Sequence, residues 1–516
     1  MSDIKSRTIR TVKKNYEDNP LLAFALIGHK THKNKDLILK KDTPIYGIYQ
    51  DKSPSIAIMK STQVGISEYM IIRAIRRASD GKNVLYVLPT YSLKNVFVQD
   101  RVDKSILFTP HYQIMLGHHG NKLAESTSIK QIATGSINFV GSNTPVSFIS
   151  YPADDILLDE LDQCESEYLP MLEERQSAST DKSTVKVSNP TINNFGIDLE
   201  YQKSDKKVWK ITHSCGHEFT PDFYKNVVRQ VEDNNYMVID PDYEYGAEPC
   251  PICEKCNKPF NRFMPGKWVK TAERDISGYH ISKMFSTTVT LKEMLQRFTD
   301  GLSNDNIMQR FYNGDLGLPY SSVGSKISEL YLDECISDYT MPDSCTGRCV
   351  MGADVGNDIH VQINELLPDG RRRVVYIGKV RDEEEVADLY KRYNCIVGVI
   401  DAMPETRLSK RLCSRFRGMF MCRYIHGIKD NIDPRNKILS VDRTQAIDAV
   451  KEMFMTGGIL LPANARSLPE YYSHITSSTR VLNEKTGEYS WIETGPDHLL
   501  HAGAYCLKSE KILKMI

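Results

Sequence analysis

From residue 55 onward, short apolar runs alternate with helix-patterned stretches, and most of the runs end on a polar or charged residue. "SIAIMK" leads into a loop and then into "EYMIIRAIRRAS", which carries helical spacing with a basic face. "NVLYVLP" precedes the helical "SLKNVFVQDRV", and "SINFVG", "DDILLDE" and "TVKVSNPT" are further runs of strand length. Strands that alternate with helices in this way pair in parallel and are covered on both faces. The first half is therefore expected to be an α/β domain built on a parallel sheet. Its ligand is expected beyond the carboxyl ends of the strands.

Three segments fall at those ends. The loop "KSTQVGIS", residues 60–67, nearly spells the phosphate-binding pattern G-x-x-x-x-G-K-[ST]. Gly65 and Ser67 hold the second glycine and the hydroxyl, Ile66 holds the usual lysine position, and Lys60 stands where the first glycine belongs. A degenerate site, a chance match and a site whose lysine reaches in from the other end all fit the motif alone. In the last reading the backbone of Ser61, Gln63, Val64, Gly65 and Ile66 faces the phosphates of ATP at a helix start, which favours an anion. Ser67 would then ligate Mg2+, and Lys60 would arch to the β- and γ-phosphates. "ILLDE" supplies Asp159 for the metal and Glu160 for the attacking water. "VSNPT" ends on Ser188 and Asn189, placed to sense the γ-phosphate, although turn chemistry accounts for them equally well. Loop and acid pair are each commonplace alone; in this order, about ninety residues apart, they point to an ATPase. Arg73, Arg76 and Arg77 on the loop helix are candidates for the arginine that a neighbouring subunit would lend to such a site.

"THSCGHEF" and "EPCPICEKCNKPFNR" look like two knuckles of a zinc ribbon, since tetrahedral Zn2+ takes paired ligands on tight turns. The expected set is Cys215, His217, Cys253 and Cys256, with Cys250 as the substitute in the second knuckle and His213 as the other histidine of the first. A ribbon that has lost its metal is the bland alternative, and either form is structural. The remaining cysteines are scattered singly, which reads as a reducing, intracellular protein. No run of about 18 apolar residues occurs, so no membrane span is expected, and the N-terminus lacks the apolar core of a signal peptide. Lys+Arg and Asp+Glu both total 66, so any nucleic-acid surface must be local; the basic "KSRTIRTVKKNYEDNP" is either such an arm or a solvated tail.

The second half opens after a polar stretch. "CVMGADVG", "IHVQINELL" and "RRRVVYIGKV" are three strands, with a "PDG" turn between the last two. A helix follows, then the strand "CIVGVIDA", another helix, the strand "MFMCRYI", the helix "DRTQAIDAVKEMFMTG", a hairpin "TRVLNEKTGEYSWI" and a last helix "DHLLHAGAYCLKSEKIL". This is the order of an RNase H-like nuclease domain. Its chemistry needs carboxylates on the first strand, the fourth strand and the last helix, which clamp two divalent ions about 3.5–4 Å apart. Asp354, Asp401 and Asp497 stand at those places, with Asp358, Glu405, His498 and His501 as lesser candidates. Each acid alone reads as a turn or helix cap; all three at the required places read as a Mg2+- or Mn2+-dependent nuclease. The expected organisation is an N-terminal arm (1–39), a P-loop ATPase core (40–200), a zinc-ribbon-like insertion with a helical remainder (201–325), a linker (326–345) and the nuclease domain (346–516).

From about residue 40 the chain resembles the large terminase subunit of tailed bacteriophages, of the lambda-type branch. The resemblance rests on an ordered series: "KSTQVGIS", "ILLDELDQ", "YQKSDKKVWKITHSCGHEF", "MPGKWV", "SGYHISKMFS", "FYNGDLGLPY", "GADVG", "VIDAMPET" and "GPDHLLHAGAY". It implies an ATP-driven motor that pulls double-stranded DNA into a procapsid and cuts concatemers with a metal-dependent endonuclease. It further implies a ring of copies on the portal protein, a small terminase subunit as partner, and a site of action in the host cytoplasm at the portal vertex. In that branch the loop lysine comes early, so Lys60 replaces the missing one. The chain departs from the family where Thr212 takes the place of a first-knuckle cysteine, and where His501 stands at a position often held by an acid. A helicase-like translocase with an inactive nuclease fold is the rival enzyme. A non-catalytic DNA-binding or capsid-vertex adaptor is the rival from another class.

Overall fold

The computed structural model describes residues 19–116, 126–143, 151–165, 169–232, 235–321, 325–482 and 488–513, and the chain divides into two compact units, residues 1–320 and 321–516. Most of the basic N-terminal stretch and the tip of the expected hairpin near 485 lie outside the described residues.

The first unit carries β1 (Ser55–Lys60), β2 (Asn83–Leu88), β3 (Ile129–Ile132), β4 (Gly135–Gly141), β5 (Asp155–Asp159) and β6 (Ser183–Ser188). It continues with β7 (Val208–Thr212), β8 (Glu218–Phe219), β9 (Val228–Glu232), β10 (Asn235–Val238), β11 (Gly266–Val269) and β12 (Ser277–Ile281). Seven of these form one sheet in the order β12-β1-β6-β5-β2-β4-β3, parallel throughout except for the antiparallel edge pair β3–β4. The apolar runs are strands because both their faces are covered: Ile56 and Ile58 point to one core cluster, Ala57 and Met59 to another. The helix Ile66–Ser79 buries Tyr69, Met70, Ile72 and Ile75 against the first of these faces. Two strands escape the sequence pattern. β3 is short and half-exposed, and β12, "SGYHI", holds a glycine and a histidine where β-branched residues would have announced it. β12 returns from beyond the expected core boundary at 200 to flank β1. The arm is packed too: the helix Pro20–Leu26 sends Leu22, Phe24 and Ala25 into the core.

The second unit carries β13 (Cys349–Val355), β14 (Ile359–Leu366), β15 (Arg372–Val380), β16 (Cys395–Asp401), β17 (Met419–Tyr424), β18 (Asn431–Asp433), β19 (Ile438–Val441), β20 (Ile459–Leu460) and the hairpin β21 (Ser478–Leu482) with β22 (Tyr489–Glu493). Its main sheet runs β18-β19-β17-β16-β13-β14-β15-β20, with β13, β14 and β15 antiparallel and β16 and β17 parallel to β13. Alternation along β13 separates Met351 and Ala353 on one face from Val350 on the other. The last helix, His498–Leu513, covers the Val350 face with Leu499, Leu500, Ala504 and Tyr505. It crosses β13 at Gly352, where a Cβ would lie 2.0 Å from the Ala502 carbonyl oxygen. Any side chain there would push the helix off the sheet. The stretch read as a linker from 326 to 345 contributes Ile327, Leu332 and Cys335 to this same core.

Candidate functional site

In the first unit, the ladder pairs Met59 with Ser188 and Asp159 with Val187, so the ends of β1, β5 and β6 lie level. Lys60, Asp159, Glu160 and Asn189 therefore meet at one edge. The Lys60 ammonium donates to Asn189 Oδ1 at 2.8 Å and lies 3.7 Å from Glu160 Oε1. Asp159 is 3% exposed and accepts from the Tyr86 hydroxyl at 2.9 Å. Burial first, then the Glu160 carboxylate, pushes the Asp159 carboxyl above its ordinary range, while Lys60 opposes the shift. Glu160 sits at φ 57, a left-handed conformation that costs an acidic residue on the order of 1 kcal/mol and is typical of functional sites. Asp162 fixes the loop after Asn189 by accepting from Thr191 N at 2.8 Å and Ile197 N at 2.7 Å.

The loop from Ser61 to Gly65 fits an anion by shape. Gln63 at φ 60 and Gly65 at φ 87 curl the backbone, and the space beside Gly65 is open. Ser67 is the second residue of the helix that follows. The three arginines proposed to assist a neighbour are elsewhere. Arg73 donates to Ser183 Oγ and lies 3.4 Å from Asp155, and Arg77 lies 3.1 Å from Asp155 and 2.9 Å from Asp181. Ser183 and Asp155 begin their strands, so these arginines neutralise a buried acid at the opposite end of the sheet. Arg76 pairs with Asp80 at the end of its own helix.

The cysteine knuckles converge. His213, Cys215, Cys253 and Cys256 bring their ligand atoms within 4.8 Å of one another. Cys215 Sγ is 3.2 Å from His213 Nδ1 and 3.9 Å from Cys253 Sγ, and Cys256 Sγ is 3.5 Å from His213 Nδ1. A zinc tetrahedron with Zn–S about 2.3 Å has an edge of about 3.8 Å, so the spacing fits that ion. The expected His217 is corrected to His213. His217 lies on the far side of the turn that Gly216 makes at φ 80; it stacks on Phe219 and faces Glu254 at 3.3 Å. Cys250 is exposed and outside the cluster.

In the second unit, the parallel ladder pairs Gly352 with Val399 and Ala353 with Ile400, which sets Asp354 and Asp401 side by side at the strand ends. Both follow the Val350–Val397–Val399 face, the one that the last helix covers. Burial first, then the Asp354 carboxylate, pushes Asp401 up to about 6, although the Met403 N–H opposes it. The helix start supplies the rest. His498 Nδ1 is 2.9 Å from Asp354 Oδ2, and its ring lies parallel to that of His360 at 4.6 Å. The bond to Asp354 raises the His498 pKa, whereas burial and then the two neighbouring histidines hold His360 down at about 4. Asp497 is engaged on its own side: its Oδ2 accepts from Ser478 Oγ at 2.8 Å and lies 3.3 Å from both Arg443 and His501. Against the pull of burial, His501 and Arg443 keep Asp497 down at about 2. The three acids thus do not close on one another as the cysteine group does; Asp354, Asp401 and His498 make the inner group. Asp358 is half-exposed 3.9 Å from Lys379, and Glu405 is exposed at the start of the next helix.

Spacing had singled out Asp354, Asp401 and Lys60 but not Tyr86, Arg443 or His360, whose roles depend on partners far along the chain. Tyr86 carried one signal, a phenol inside an otherwise apolar strand.

The family described as phage terminase large subunit gpA, ATPase domain, matches residues 45–268, and the terminase large subunit gpA endonuclease domain matches residues 276–376. No curated protein matches by sequence. Among solved structures, the large terminase of bacteriophage HK97 is similar in fold, at 11% identity over 94% of this chain and 98% of that one, with a TM-score of 0.54. The large terminase of a thermophilic bacteriophage aligns at 13% identity over 92% and 96% of the two chains, with a TM-score of 0.30 that carries no structural argument.

Proposed function

The chain belongs to the gpA family of phage terminase large subunits and carries that family's ATPase and endonuclease domains, and we propose that Lys60, Asp159 and Glu160 run the first activity and Asp354 and Asp401 the second. The family's function is packaging of phage DNA by an ATP-driven motor that also cuts concatemers, with nucleotide and divalent metal as its requirements. The observation that carries the residue assignment is the meeting of Lys60, Asn189 and Glu160 at one sheet edge, directly before a loop curled for an anion.

At the ATP site the loop N–H groups from Gln63 to Ile66 bind the phosphates, and the Lys60 ammonium, released from Asn189, offsets charge on the γ-phosphoryl group. Ser67 and Asp159 would hold Mg2+, which when bound neutralises the β- and γ-oxygens. Glu160 orients the attacking water. Its short tether to Lys60 keeps it poised at the phosphate side. The DNA grip is electrostatic and sequence-tolerant, so packaging should weaken as salt rises.

At the nuclease site Asp354 and Asp401 would hold Mg2+ or Mn2+, which when bound activates water and stabilises the leaving oxygen. The fit rests on the donor set: two carboxylates on adjacent strand ends with an imidazole on the same face. His498 fixes the Asp354 carboxylate. Asp497 completes the set from the helix start, while Arg443 and Ser478 anchor it. Protonation of Asp401 competes with the cation. Because its carboxyl is raised to about 6, it is neutral below that pH and binds poorly there. The Mn2+ concentration for half-maximal cutting is therefore expected to climb steadily as pH is lowered from 7 to 5, as a plasmid-nicking titration would read. A requirement flat across that range would remove Asp401 from the ligand set.

The cluster of His213, Cys215, Cys253 and Cys256 is proposed as a structural Zn2+ site that ties the β7–β8 turn to the second knuckle. His213→Ala is expected to lose stoichiometric zinc and lower Tm, whereas His217→Ala keeps both, measured by elemental analysis and calorimetry. Zinc retained in the first and lost in the second would restore His217.

Partners follow from the family reading: double-stranded DNA, a small terminase subunit, the portal protein, and other copies of this chain in a ring on the portal vertex in the host cytoplasm. Among the described residues no helix is long and apolar enough to cross a membrane.

A further inference from the structure

The segment Phe311–Leu316 is a π-helix, a rare local form that concentrates at functional sites. It lies directly against the nucleotide loop. The Gly314 carbonyl accepts the Thr62 N–H at 3.0 Å and the Thr62 hydroxyl at 3.0 Å. Gly317, at φ +65, follows it; a Cβ there would lie 2.7 Å from Ser61 N, so any side chain would displace the loop. The Asn313 carbonyl accepts from Asn189 Nδ2 at 3.3 Å, while the other end of the same Asn189 amide accepts from Lys60 at 2.8 Å.

That carbonyl is held firmly. Asn313 is 5% exposed, and its own amide donates to the carbonyls of Thr191 at 3.0 Å and Leu318 at 2.9 Å. Two residues on, Asp315 is fixed by Lys283 at 2.6 Å and Arg297 at 2.6 Å. An amide has a donor end and an acceptor end. Were Asn189 to flip, its NH2 would face an ammonium and its oxygen a carbonyl, which are two repulsive contacts. The fixed carbonyl at 313 therefore decides which end of Asn189 meets Lys60.

We propose that Asn313 is a positioning residue for ATP hydrolysis: by fixing the orientation of Asn189 it holds the Lys60 ammonium in line with the phosphate loop. The inference rests on the ATP-site reading given above. It concerns the aim of Lys60 rather than nucleotide affinity, because the loop N–H groups from Gln63 onward bind phosphate without it.

The test is steady-state ATPase kinetics of the full-length protein for Asn313→Ala, Asn189→Ala and the double variant, with Tm and the affinity of a fluorescent ADP analogue measured alongside. Each single change is expected to lower kcat at least about 10-fold and move KM less than about 3-fold, and the double variant to be no worse than the poorer single one. Multiplying effects, or a lower Tm with kcat intact, would make Asn313 merely structural. Should Asn313→Ala fail to fold, Asn189→Asp serves instead. It keeps an acceptor for Lys60 but sets a carboxylate oxygen against the Asn313 carbonyl, and wild-type kcat in it would overturn the proposal. Lys60→Ala is run in parallel: if it retains full ATPase activity the site reading itself fails, whereas an inactive Lys60→Ala beside an unaffected Asn313→Ala sinks only the role of Asn313.

Discussion

Asp354→Asn is expected to reduce DNA cutting by at least about 100-fold while ATP turnover stays at the wild-type rate. Loss of an outer hydrogen-bond partner of a metal ligand typically costs 10–100-fold, so loss of a ligand itself should cost no less than about the upper end. Asparagine keeps the shape of the carboxylate and a hydrogen-bond atom for His498, 2.9 Å away, so the fold of β13 should not change. What it removes is half of the negative charge on the paired strand ends. ATP turnover is the internal control, because Asp354 belongs to the second unit and the nucleotide loop to the first. Plasmid digestion with Mn2+, read beside phosphate release, gives both numbers from one preparation. Equal digestion by wild type and variant would leave the nuclease assignment without support.

The second large effect is at Lys60. Lys60→Ala is expected to lower kcat for ATP at least about 100-fold, on the scale of losing a preorganised charge at a transition state, and to leave Mn2+-dependent nicking unchanged. Glu160→Gln should lose a similar factor in kcat yet bind ATP as tightly as wild type, since it acts on water rather than on phosphate. The two variants thus differ in affinity more than in rate. Lys60 is 6% exposed and its ammonium meets only Asn189 and Glu160 among the contacts described, so its removal leaves two polar groups facing the nucleotide cavity, where water can reach them. An active Lys60→Ala enzyme would mean that the early lysine does not replace the missing one.

Both halves were legible in the sequence where a strand ends in an acid. The ILLD and VVYI type of run announces a buried strand whatever its neighbours are, and Asp159, Asp354 and Asp401 follow directly from it. The strand edges were harder. β12 carries Gly278 because Ser204 packs against it, a constraint set by a residue about seventy positions away and invisible to local periodicity. The ligand histidine was misassigned for a similar reason. His213 and His217 both flank Cys215, and only the turn at Gly216 decides which ring points inward. Arg73 and Arg77 looked available on a basic helix face; their true partner, Asp155, begins a strand from which no helix pattern points back to them. At the last helix, sequence placed Asp497 correctly at the first turn but could not reveal that Ser478 and Arg443 already hold it.

Everything at the nuclease site turns on the carboxylates of two neighbouring strands serving one metal. Anomalous diffraction from crystals soaked in Mn2+ addresses this most directly. The expected result is a peak bridging Asp354 and Asp401, with carboxylate oxygens of both about 2.1 Å away as suits a hard divalent ion. Manganese bound elsewhere, with those two side chains contacting only protein, would contradict it.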